Sequence, residues 1–276
     1  MGLLIDIIYG VKLSGVNKIK KIINKKYNRF YPNNARHDDV YIVEFPKSGV
    51  TWLSTLIANV NLLKSEQDES VTYYNLSQYI PDIHTSKDLA QLPLWKSPKY
   101  RFIKSHDNYN KNYSFVIYLI RNPLRVMNSY YEFMQVHGPF HGTFEEFVKS
   151  PRYGIRAWND HVNSWIKELD PQQQIHLIKY EDLMEKPKEA LRNMYDNLGL
   201  CISDEILLES IKRSSLERMR NSEVVYLTYN PFMDFNFVGK GAETYSKNMN
   251  DDIKEYIVSN SKIYFNDLKN IKCRNI

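Results

Sequence analysis

Short apolar runs alternate along this chain with longer stretches of helical periodicity, and the alternation predicts a fold. Val40-Tyr41-Ile42-Val43-Glu44-Phe45 is a β-branched and aromatic run. Pro46 to Gly49 separates it from a periodic apolar stretch, Trp52 to Leu63. Tyr100 to Lys104 is a second strand candidate. Phe115 to Ile120 is apolar almost throughout, as in a strand buried on both faces. It stops at Arg121-Asn122-Pro123, and Pro123 suits the first turn of a helix running to about Met134. Ile175 to Tyr180 is a fourth strand, and Pro187 opens a helix that ends near Gly199.

Strands separated by helices predict an α/β fold, with a central parallel sheet flanked by helices on both faces. No repeat or linker divides the chain, so 38–276 reads as one domain behind a basic, amphipathic extension over 1–37. In such sheets ligands bind beyond the carboxyl ends of the strands. Chemistry is therefore expected just after Phe45, Lys104, Ile120 and Tyr180.

Composition narrows the partners. With 43% hydrophobic and 25% charged residues, the 276-residue chain sits in the globular range and can build a core. Its net charge of +5 is modest, and the 37 lysines and arginines are spread along the chain. That argues against nucleic acid and suits a small polyanionic ligand. Cys201 and Cys273 have neither metal spacing nor a disulfide framework, which points to free thiols in a reducing, cytoplasmic setting. Leu3 to Val11 is too short to span a bilayer, and the basic run Lys18 to Lys26 follows it, the reverse of a secretory signal. A Lys-rich amphipathic helix over 12–26 has the chemistry for weak peripheral membrane contact through 1–26, and a solvated charged face is the plainer reading. Oligomeric state is left open.

Phe45-Pro46-Lys47-Ser48-Gly49-Val50-Thr51-Trp52 reads as a strand-to-helix loop. Such a loop presents unpaired N–H groups and the positive end of a helix dipole, so anions bind there. Gly49 permits the turn, Lys47 adds charge, and Ser48 and Thr51 add hydroxyl donors. The segment lacks the Walker A spacing. Taken alone it fits two readings equally: an anion site, or a helix capped by Ser48 beside an incidental lysine.

The segment resembles the 5'-phosphosulfate loop of sulfotransferases that use 3'-phosphoadenosine-5'-phosphosulfate (PAPS), whose pattern is Pro-Lys-Ser-Gly-Thr-Thr-Trp. The family's lysine falls on Lys47, its second threonine on Thr51 and its adenine-packing tryptophan on Trp52. Val50 replaces the first threonine and keeps only the backbone N–H. Val116 to Pro123, with Ser129-Tyr130-Tyr131, is similar to the signature in which an arginine and a serine bind the 3'-phosphate. The resemblance assigns these roles to Arg121 and Ser129. Lys104-Ser105-His106 resembles the family's Lys-Thr/Ser-His, whose histidine is the catalytic base. Tyr180 and the segment Ser214-Ser215-Leu216 resemble the adenine border, with Leu216 in place of the usual aromatic ring. Gly239-Lys240-Gly241 resembles Arg-Lys-Gly, with Gly239 in place of the arginine and one charge fewer for the 3'-phosphate. The likeness covers about residues 38 to 268, and leans toward bacterial small-molecule enzymes.

The resemblance implies a P-loop-like sulfotransferase fold and in-line sulfuryl transfer from PAPS to a hydroxyl or amine of a small-molecule acceptor, without metal. In that scheme His106 takes the acceptor proton, Lys47 stabilises charge on the leaving 5'-phosphate, and Lys104 supports the sulfuryl oxygens. Two rivals remain from other classes: a P-loop-type nucleotide kinase and a non-catalytic nucleotide-binding module. His84, His137, His141, His161 and His176 carry no motif context, and His37 is expected at the surface. Acceptor specificity is expected from loops at roughly 64–99, 135–158 and 222–238.

Overall fold

The computed structural model describes residues 35–67, 69, 71–84, 100–167, 173–229 and 249–267. Four strands form one parallel sheet: β1 (Asp39–Glu44), β2 (Arg101–Ser105), β3 (Phe115–Ile120) and β4 (Gln174–Lys179). Their order is β2-β1-β3-β4. The inner strands β1 and β3 are buried almost end to end, which is why their sequences are nearly continuous apolar runs. β4 closes one edge and can carry Gln174, His176 and Lys179 half-buried.

The strands alternate with α1 (Val50–Lys64), α2 (Leu76–Tyr79), α3 (Pro123–His137), α4 (Phe144–Lys149) and α5 (Ile155–Lys167). After β4 come α6 (Tyr180–Glu185), α7 (Pro187–Asn197), α8 (Asp204–Arg213), α9 (Leu216–Tyr229) and α10 (Asp251–Ser259). The side-chain period of two sorts the sheet's residues into two cores. Val40, Ile42, Phe102, Ile117 and Leu119 meet Leu53, Leu56 and Ile57 of α1, Leu191 and Met194 of α7, and Leu207 of α8. Tyr41, Val43, Ile103, Val116 and Tyr118 meet Val126 of α3, Phe147 of α4, Trp158 and Trp165 of α5, and Ile257 of α10.

This sorting positions the site. α1 leaves β1 toward one face, whereas α3 leaves the adjacent β3 toward the other. Neighbouring strands whose helices diverge leave a crevice at their carboxyl ends, the switch point where ligands bind in such sheets. The expected parallel sheet is therefore present, with Phe115–Ile120 at its expected bounds and the other strands within one residue of theirs.

All three segments expected as loops contain helix, with α2 lying inside 64–99. Thr143 starts α4 with a capping box, accepting from the Glu146 N–H while the Glu146 carboxylate accepts from its own, and α5 begins at Ile155. α9 continues to Tyr229, well into 222–238. Cys201 is an exposed free thiol. Cys273 and residues 1–34, and with them the membrane reading, lie outside the described residues. Among the described residues, no helix is long and apolar enough to cross a membrane.

Candidate active site

The loop after β1 has two residues in the left-handed region, Lys47 at φ 73° and Gly49 at φ 110°. For Gly49 this is inexpensive; for Lys47 it is strained, by roughly 1–3 kcal/mol. A Cβ on Gly49 would also run into the Tyr180 ring, so only glycine lets α6 close against the loop. α1 then starts at Val50, with Gly49 at its N-cap and no side-chain cap. Ser48 therefore does not cap the helix. Its Oγ is buried without a hydrogen-bond partner, which favours the anion reading over the capping one.

Arg121 leaves the end of β3 and crosses to this loop. Its Nη1 donates to the Lys47 carbonyl at 3.1 Å, and its guanidinium lies 4.5 Å from the centre of the Tyr180 ring. It makes no ion pair among the described residues, and its Nε is buried without a partner. The Lys47 ammonium lies 4.7 Å from the centre of the Phe133 ring. Burial pulls the Lys47 ammonium below its ordinary value, against the pull of Glu44.

Trp52 Nε1 donates to the Ser214 carbonyl at 2.9 Å, and its ring meets Tyr180 edge-on at 6.0 Å. The Ser214 hydroxyl takes the Asn59 amide at 2.9 Å. Ser214 is thus committed to holding Trp52, and its hydroxyl is engaged within the protein. Leu216 opens α9 next to it and is half-buried. Thr51 lies half-buried in the first turn of α1, and Ser129 half-buried in α3. Gly239, Lys240 and Gly241 lie outside the described residues.

His106 follows β2 and stands beside the same loop. Its Nδ1 is 3.2 Å from the Glu44 carbonyl oxygen. A carbonyl only accepts, so Nδ1 carries the proton and Nε2 keeps the lone pair. Burial first, then the nearby Lys104 ammonium, push this imidazole down to about 3, which keeps it neutral near pH 7. Lys104 is not an isolated charge, because its Nζ pairs with Asp82 Oδ2 at 3.1 Å.

Three residues of this cluster carried no signal in the motifs. Glu44, Asp82 and His84 all reach the loop or the base. Glu44 Oε2 accepts the Val50 N–H at 2.7 Å, and its Oε1 is 3.9 Å from His106 Nδ1. A carboxylate ending the run Val40-Tyr41-Ile42-Val43 was the one visible hint. Asp82 and His84 arrive because 81–83 pairs with the edge of β2: Lys104 N–H donates to Pro81 and Ile83 N–H to Lys104. His84 lies nearly parallel to His106 at 6.3 Å and accepts the His106 backbone N–H at 3.3 Å. His161, by contrast, is a core residue paired with Tyr118 at 2.9 Å, and His37 is exposed.

Residues 37–269 match the family model described as a sulfotransferase domain. Over 272 residues the chain is 30% identical to sulfotransferase 1E1 of Bos taurus, covering 88% of this chain and 90% of that protein. The chain belongs to the sulfotransferase family. It is also 32% identical over 212 residues to sulfotransferase 1B1 of Mus musculus, covering 70% of this chain and 69% of that one. These relatives are mammalian, although the motifs leaned toward bacterial enzymes. Among solved structures, mouse sulfotransferase SULT7A1 complexed with PAP has a TM-score of 0.60 at 20% identity, covering 86% and 87% of the two chains. Retinol dehydratase in complex with androsterone and PAP has a TM-score of 0.62 at 18% identity, covering 90% and 86%. Both share the fold.

The co-substrate of this sulfotransferase is PAPS, and the nucleotide-kinase alternative is set aside. The residues present fit that polyanion. Ser48 Oγ and Arg121 Nε are buried donors without partners, Lys47 adds charge, and the start of α1 supplies backbone N–H groups.

Proposed function

We propose that this sulfotransferase acts on a hydroxyl or amine of a small-molecule acceptor, with His106 as base and Lys47 and Lys104 as electrostatic partners. The carrying observation is that the anion loop and a neutral imidazole meet at one residue, Glu44, whose carbonyl orients His106 and whose side chain holds Val50. PAPS supplies the sulfuryl group and a 3',5'-bisphosphoadenosine leaving group.

The protein's own part is positioning and charge. Lys47, Ser48, Gly49, Val50 and Thr51 form the cradle for the 5' end, with Trp52 and Tyr180 as the aromatic border. Arg121 and Ser129 take the 3'-phosphate, with Ser214, Leu216, Gly239, Lys240 and Gly241 as the remaining border. The lone pair on His106 Nε2 accepts the acceptor's proton as its oxygen or nitrogen attacks. Lys47 offsets charge on the departing phosphate. Lys104 acts as half of a pair with Asp82, which tempers its field at the sulfuryl oxygens.

Aromatic walls support a small, partly apolar acceptor: Phe133 beside Lys47, and Tyr130 edge-on to Phe45 at 5.7 Å. In this reading 38–276 is the catalytic domain. Labelled PAPS offered with a panel of phenols, apolar alcohols and amines tests it. Transfer that His106→Ala abolishes is the expected result. Nucleotide binding with no transfer to any member would favour a binding module instead.

A further inference from the structure

Glu44 is out of place by composition. It is 2% exposed at the end of the most buried strand, directly beneath a loop built to receive phosphate. A carboxylate there would be expected to repel the ligand. Its geometry ties it to both halves of the site, through Val50 N–H at 2.7 Å and His106 Nδ1 at 3.9 Å. The groups that face it come from four elements. Lys47 reaches it from the loop, Lys104 and His106 from β2 and its end, Tyr118 and Arg121 from β3 and its end, and Tyr180 from α6.

In the free enzyme the cations Lys104, Lys47 and Arg121, with the Val50 N–H, favour its charged form. Burial outweighs them and raises the carboxyl from 4.5 to about 7. Two of these cations, Lys47 and Arg121, are the ones assigned to the nucleotide. Phosphate groups arriving there add negative charge within the same enclosure, where screening by water is weak.

Resting on the nucleotide site proposed above, we infer that Glu44 is a positioning residue whose carboxylate holds the Val50 N–H in the free enzyme and takes up a proton when the nucleotide's phosphates arrive. Nucleotide binding is then coupled to proton uptake at this one side chain. A neutral carboxyl keeps a carbonyl oxygen for the Val50 N–H, so the loop retains its shape while the repulsion disappears. The affinity for nucleotide accordingly falls as pH rises above 7, by up to about tenfold per unit.

Calorimetry of 3',5'-bisphosphoadenosine binding at pH 7.5, in buffers of different ionisation enthalpy, reads the coupling directly. The wild-type chain should take up roughly half a proton or more per nucleotide. The ligand's own phosphates would release protons on meeting lysine and arginine, so they cannot produce that sign. Glu44→Gln keeps an acceptor for Val50 and should bind without uptake, with an affinity flat across pH 7 to 8. Binding without uptake in the wild type overturns the inference, as does equal uptake in Glu44→Gln. Should that variant not fold, infrared difference spectra of the wild type decide: a protonated-carboxyl band appearing with nucleotide supports the coupling, and its absence sinks it. Failure of the nucleotide to bind at all would instead overturn the nucleotide site itself.

Discussion

The two halves of the site satisfy their polar groups in opposite ways. On the nucleotide side, Ser48 Oγ and Arg121 Nε are buried without partners, and the loop carries Lys47 in a strained conformation. On the base side nearly every polar group answers to a neighbour. Lys104 pairs with Asp82, His106 with the Glu44 carbonyl, and the Tyr113 hydroxyl donates to Asp107 Oδ2 at 2.7 Å. Unmet donors mark where a ligand completes the structure; met ones mark where the protein holds its own reagents in place. The first half should therefore respond to substitution through ligand affinity, and the second through chemistry.

The largest separation is expected from His106→Ala and Lys47→Ala. Each should lower turnover on the order of 100-fold or more. His106→Ala should still give the thermal shift of a bound nucleotide, about 2.7 kcal/mol at ~100 times its dissociation constant, whereas Lys47→Ala should lose most of it. Wild-type turnover in His106→Ala would remove the base from its role. Next comes Gly49→Ala, where left-handed backbone and the Tyr180 ring act together. It should cost about 1–3 kcal/mol in denaturant unfolding and weaken nucleotide binding. Unchanged binding would mean that the loop tolerates another shape.

Acid should then test the core histidine against the catalytic one. Burial holds His161 down to about 4, below its ordinary 6.5. The unfolded chain therefore binds the extra proton as pH falls through 6.5, and stability present above that value is lost progressively toward 4. The slope approaches about 1.4 kcal/mol per unit for this group. Glu44, raised to about 7, works in the opposite direction and offsets part of the loss. Unfolding midpoints at pH 7, 6 and 5 should fall less steeply in His161→Gln than in wild type; equal slopes would contradict the buried neutral assignment. The smallest effect belongs to Asp82→Asn. The Lys104–Asp82 pair is partly exposed, so its loss should destabilise by less than about 1 kcal/mol. A larger loss would make the pair structural in its own right.

Local chain chemistry determined much of this protein. Apolar runs of strand length, Pro123 and Pro187 at helix starts, and glycine at position 49 all act within a few residues, so β1, β3, α3, α7 and the turn between β1 and α1 could be read from order alone. Lys47, Arg121 and His106 follow the carboxyl ends of β1, β3 and β2, where such a fold binds ligands, and it was the resemblance of their motifs to the family's that gave each its role. The tertiary structure alone decided which of them act together and what tunes them. Sheet order places β1 between β2 and β3, and that order rests on distant packing that no local pattern encodes. Only pairing of 81–83 with the edge of β2 brings Asp82 to Lys104 and His84 to His106. Glu44 is the one charged residue in the run Val40 to Phe45, and no motif marked it. Burial beneath the loop, a property of the assembled layers and not of the strand, makes it a group that can exchange a proton near neutral pH.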